Sequence, residues 1–184
     1  MQETKNSAAQ KKYSTGIQRL TLIGILASFG IILHFIEALL PAIFPVPGAK
    51  LGLANIITLM ALVVLGPRGG GQVLLLRIFL GSFLAGTFMT LSFFLSISGG
   101  LLAFLAMALA FKLKAGSFSL IGISILGALA HNLGQIIAVA FIIGNLGVFY
   151  YLPVLTLLAL PTGVLVGLAA SYSLKAIPGM GWGK

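Results

Sequence analysis

Residues 51–86 read LGLANIITLMALVVLGPRGGGQVLLLRIFLGSFLAG. Two apolar runs flank the turn Gly66-Pro67-Arg68, and the only charged group beyond that turn, Arg77, stands inside the second run. Proline removes a backbone donor and clashes with the preceding helical turn, so the helix from Leu51 ends at about Leu65. A new one runs from about Gly70 to Gly86. Each run is too apolar for the surface of a water-soluble domain. The chain therefore folds in lipid, where the hydrocarbon satisfies no backbone group and helices must satisfy their own.

The rest of the chain repeats this pattern. Only 7% of its 184 residues are charged and 59% are hydrophobic, against roughly 25% charged in soluble domains. Crossing about 30 Å of hydrocarbon takes about 20 residues. Six spans are expected, over Ile17–Leu40, Leu51–Leu65, Gly70–Gly86, Leu91–Phe111, Leu120–Ile143 and Tyr151–Leu174, the second being short. The expected fold is an all-α polytopic membrane bundle covering 17–175. A polar, basic tail (1–16) precedes it and a short tail (176–184) follows it. The tail before Gln18 has no apolar segment of the kind a cleavable signal needs.

Lys and Arg placement sets the orientation. With the N-terminus inside, Lys5, Lys11, Lys12, Arg19, Arg68, Lys112, Lys114, Lys175 and Lys184 are cytoplasmic, and Lys50 alone lies outside. Both termini are expected in the cytoplasm of a multi-pass cell-membrane protein. The net charge of +9 comes from residues scattered between apolar runs, which does not suggest nucleic-acid binding. The chain has no cysteine, which excludes disulfides and thiolate chemistry.

Ionisable groups at membrane depth are costly and mark function. Glu37 is the one carboxylate beyond the N-terminal tail, and His34 shares its helix face at i,i+3 spacing. Lys50 and Asn55 flank the start of the second span on the outer side. Arg77 lies about 10 Å into the third span, at 1.5 Å per residue. His131, Asn132 and Gln135 form a polar turn midway along the fifth. Convergence of these eight would make an outward-facing site for a polar small molecule. The alternative is structural: Arg77 neutralises Glu37, and Asn132 bonds a neighbouring helix as ordinary glue. Lys50 is equally readable as an interfacial lysine. Phe44, Phe88, Tyr150 and Tyr151 lie near the outer loops, where aromatic belts form. Gly24/Ser28, Gly81/Ala85 and Gly163/Gly167 have the spacing that lets helices approach closely. The loop Gly66–Gly71 lacks the lysine and hydroxyl of a phosphate loop, and His34-x-x-Glu37 is not a zinc-protease motif. No metal or other cofactor is called for.

The first span with His34 and Glu37, the passage Pro45-Val-Pro-Gly-Ala-Lys-Leu-Gly-Leu-Ala-Asn55, and Gly66-Pro67 with Arg77 beyond it resemble a bacterial membrane family. It is labelled both Gx transporter and heptaprenyl diphosphate synthase component I, and the resemblance covers roughly residues 17–175. The two labels imply different functions. Prenyl diphosphate synthases hold magnesium and diphosphate on aspartate-rich motifs, and this chain has no aspartate, so catalysis by it is not expected. A non-catalytic membrane accessory of isoprenoid or quinone metabolism stays open. The architecture is also similar to the S components of energy-coupling factor transporters. That resemblance implies a substrate-binding subunit, an outer loop (41–50) acting as a lid, and partnership with a transmembrane coupling subunit and cytoplasmic ATPases. It places docking on the first helix, at Gly24, Ala27 and Ser28.

Overall fold

The computed structural model describes residues 16–39, 52–113 and 119–176. Lys50, Phe44 and the whole 41–50 loop expected to act as a lid lie outside the described residues. Those described form helices α1 (Gly16–Leu39), α2 (Leu53–Leu84), α3 (Leu91–Leu113), α4 (Leu120–Ile143) and α5 (Leu152–Lys175), with a 3-10 turn at Leu146–Tyr151. There is no strand among them.

Among the described residues, five helices are long and apolar enough to cross a membrane, where six spans are expected. The difference lies in α2, which holds the expected second and third spans as one element broken at Gly66 (φ 74°, ψ −178°). That backbone suits glycine, and Pro67 follows it. The break reverses the chain. Arg77 hydrogen bonds to Thr58 and Asn55, which in a straight helix would stand about 28 and 33 Å away. A Cβ on Gly70 would come within 3.1 Å of the Leu62 backbone. The limbs 53–65 and 67–84 therefore lie side by side as a helical hairpin.

The other boundaries follow local chemistry. The Ser119 hydroxyl accepts the Gly122 amide (3.1 Å) and opens α4, a side-chain N-cap. Gly144 closes it in the left-handed region (φ 70°), the usual glycine C-cap.

Helix α1 packs on α2, α3 on α4 and α4 on α5, while α2 also touches α3 and α5. Leu59, Leu62, Leu74, Ile78 and Met107 fill the interior. Close approach rests on glycine. Cβ atoms on Gly163 and Gly167 would meet the Cα atoms of Ile125 and Ile121 at 2.8 and 2.6 Å, and one on Gly134 would meet the Ser98 carbonyl at 2.7 Å. Large apolar side chains such as Phe29, Phe83, Leu105, Phe141 and Leu157 are exposed around the bundle, as a lipid-facing surface requires. Phe88 stacks on Phe83 with ring centres 4.0 Å apart, beside Phe79 and Phe93, whereas Tyr150 is exposed.

Candidate functional site

The site begins with two small residues that make room for two large polar ones. Gly30 of α1 faces the Arg77 stem: a Cβ there would lie 3.2 Å from Arg77 Cδ. Gly81 of α2 faces the His34 ring, at 3.0 Å from Cδ2. Helix α1 and the second limb of α2 therefore close over a buried arginine and a buried histidine. The guanidinium reaches across to the first limb, where Nε donates to Thr58 Oγ1 (2.9 Å) and Nη2 to Asn55 Oδ1 (2.8 Å). These bonds to neutral acceptors orient the cation without cancelling its charge.

Glu37, half-buried one turn beyond His34, accepts the backbone amide of Gly52. It also acts electrostatically on Arg77. Gly52 precedes α2 with φ 73°, and its carbonyl accepts the Asn55 amide (2.9 Å). Glu37 thus ties the C-terminal end of α1 to the start of α2.

His34, Glu37, Gly52, Asn55, Arg77, Ser96 and His131 line one small cavity of about 20 Å³. A second cavity of the same size adjoins it, sharing Gly52, Asn55 and His131 and continuing past Ser124, Asn132 and Thr162. Each has room for about one water molecule. Among the described residues, the first contains one formal cation and one formal anion and the second contains neither.

Five of the eight expected site residues therefore share the first cavity: His34, Glu37, Asn55, Arg77 and His131. Asn132 lies on the second, and its Nδ2 donates to the Leu155 carbonyl of α5 (2.7 Å). Gln135 lines neither. It is buried against Gly99 of α3, and neither side-chain polar atom has a partner among the described residues. Lys50 lies outside the described residues. Ser96, Thr58, Ser124 and Thr162 are polar groups that sequence reading passes over, because a helical hydroxyl ordinarily bonds its own carbonyl ladder; Thr162 does so to Leu158 (3.0 Å). No group of three metal-ligating side chains occurs among the described residues. Of the expected docking residues, Gly24 and Ser28 face outward and Ala27 faces the core.

The bond from Asn132 to α5 carries a modest prediction. Asn132→Ala is expected to lower stability by about 0.6 kcal/mol, the average for side-chain hydrogen bonds between membrane helices. Reversible unfolding of the variant and the parent in the same detergent checks this.

The model of the heptaprenyl diphosphate synthase component I family matches residues 26–173, most of α1 through nearly all of α5. The chain belongs to this family. No curated protein and no solved structure matches it. Both cavities lie wholly within the matched region, so the polar site is embedded in the part of the chain that defines the family membership.

Proposed function

We propose that this chain is a substrate-binding membrane subunit, similar to the S components of energy-coupling factor transporters, that captures a small molecule from the outer side for uptake. The observation that carries this reading is the gathering of His34, Glu37, Asn55, Arg77 and His131 from α1, both limbs of α2, and α4 around one cavity inside an apolar bundle. Charge neutralisation accounts for bringing Glu37 and Arg77 together; the addition of His34, Asn55 and His131 to the same cavity favours a polar ligand site.

In this reading both limbs of α2 cross the bilayer, giving six spans with both termini cytoplasmic. The first limb, 13 residues and about 20 Å long, is short for a span, and Glu37, Gly52 and Asn55 sit at its outer end. The described chain contains no phosphate loop, so uptake draws on ATPases associated through a coupling subunit. A tagged chain, gently solubilised from its native membrane, is expected to bring down a transmembrane coupling protein and cytoplasmic ATPases. Consistent recovery of the chain alone, with no bound small molecule, would sink the proposal.

The family description supports a second reading, a non-catalytic membrane accessory of isoprenoid or quinone metabolism. It requires a prenyl diphosphate synthase subunit to associate with this chain and to change its activity on doing so.

A further inference from the structure

We infer that the cavity lined by Ser124, Asn132 and Thr162 is the second chamber of the ligand site, and that the ligand is compact and two-ended, with an anionic or carbonyl end at Arg77 and a neutral N–H or O–H donor end in that chamber. The inference rests on the capture reading and deepens it.

The hydrogen-bonding groups define what each chamber accepts. A guanidinium has five N–H donors, and the described bonds of Arg77 occupy Nε and one hydrogen of Nη2. Arg77 lines the first chamber with donors to spare, so the matching ligand atom is an acceptor. The second chamber is complementary. Thr162 uses its hydroxyl hydrogen on carbonyls of its own helix, which leaves its lone pairs. Asn132 spends one amide hydrogen on Leu155, which leaves its Oδ1 and its second amide hydrogen. Ser124 is 3% exposed, and its Oγ has no partner among the described residues. An orphaned hydroxyl at such depth calls for an occupant, because burying a polar group without a hydrogen bond is unfavourable. Beyond the shared wall, the lone pairs of Thr162, Asn132 and Ser124 outnumber the two remaining hydrogens, one on Asn132 and one on Ser124, which suits a donor group on the ligand.

Charge points the same way. Among the described residues the first chamber balances one Arg against one Glu, and the second carries no formal charge. With Glu37 already beside Arg77, a diphosphate would add about two or three uncompensated negative charges in a low-dielectric setting, which disfavours it strongly. A single carboxylate adds one, and a ring carbonyl adds none.

The chambers are now closed to about a water each. Their common wall is Gly52, Asn55 and His131, so a ligand spanning both displaces that wall.

The test uses the full chain in lipid nanodiscs with matched pairs of probes, acetate against glycolate and benzoate against 4-aminobenzoate, together with inorganic pyrophosphate. Within at least one pair, the member carrying the donor is expected to bind about tenfold tighter, the equivalent of one well-made hydrogen bond. Ala128→Leu, which adds bulk to the second chamber away from Arg77, is expected to abolish that advantage while leaving acetate or benzoate binding in place. Equal affinities within both pairs, an advantage that survives Ala128→Leu, binding of pyrophosphate alone, or binding of no probe would each overturn the inference. Equal affinities that vanish in Arg77→Gln would overturn the second chamber and leave the capture reading standing. Binding of no probe, or binding indifferent to Arg77→Gln, would count against capture as well.

Discussion

Gly167→Ala is expected to destabilise the bundle, although alanine is the better helix former. The helix-propensity gain is about 1 kcal/mol. Against it stands contact with the facing backbone: a Cβ on Gly167 would lie 2.6 Å from Ile121 Cα and 3.1 Å from Ser124 Cβ. Backbone cannot swing aside as a flexible side chain can, so α4 and α5 must separate. Overpacking of this kind costs about 1–3 kcal/mol, and more when the added group is larger. Gly167→Val should therefore be worse than Gly167→Ala. Gly24→Ala supplies the control, because nothing stands within 4 Å of the added carbon; there the propensity gain should appear unopposed. Thermal unfolding of the three variants and the parent in one detergent tests the ordering. Equal stability of Gly167→Ala and Gly24→Ala would mean that α4 and α5 are not in backbone contact.

Arg77→Met carries the other large effect. The substitution roughly keeps the length of the buried stem and removes the charge. It leaves Asn55 Oδ1 and Thr58 Oγ1 without their donor and Glu37 without its nearby cation. Each buried acceptor left without its donor costs about 1–3 kcal/mol, and the half-buried Glu37 left without its cation adds to that. The double variant Arg77→Met/Glu37→Gln removes both charges and should recover part of that loss. A double-mutant cycle isolates the coupling. If Arg77 and Glu37 were only a packing pair, the double variant would recover part of the stability and bind ligand as the parent does. In the capture reading it recovers the same part and leaves the ligand site empty.

Much of this was legible in the sequence, for reasons that differ by residue. The ends of α4 could be read because Ser119 and Gly144 are local signals that act through their own backbone neighbours. The Gly66-Pro67 break was equally plain. Its consequence was less so, since the two expected spans form one element folded back on itself. His34, Glu37, Asn55, Arg77 and His131 stood out because polar groups are scarce in an apolar chain, and the fold brings these five together. The i,i+4 spacing does put His131 and Gln135 on one face, since both pack against Gly99 of α3. Gln135 lies about 6 Å further along α4, and there it lines neither cavity. Ser124 was illegible for another reason: a serine in a helix looks the same whether it bonds its own backbone, as Ser171 does to Gly167, or faces a chamber.

Native mass spectrometry of the full chain released from its membrane, run beside Arg77→Met/Glu37→Gln, shows whether the polar centre of this bundle holds a small molecule. One small molecule is expected on each wild-type chain and none on the double variant, with both proteins folded. A wild-type chain that carries nothing, or a double variant that keeps the same molecule, would contradict the capture reading.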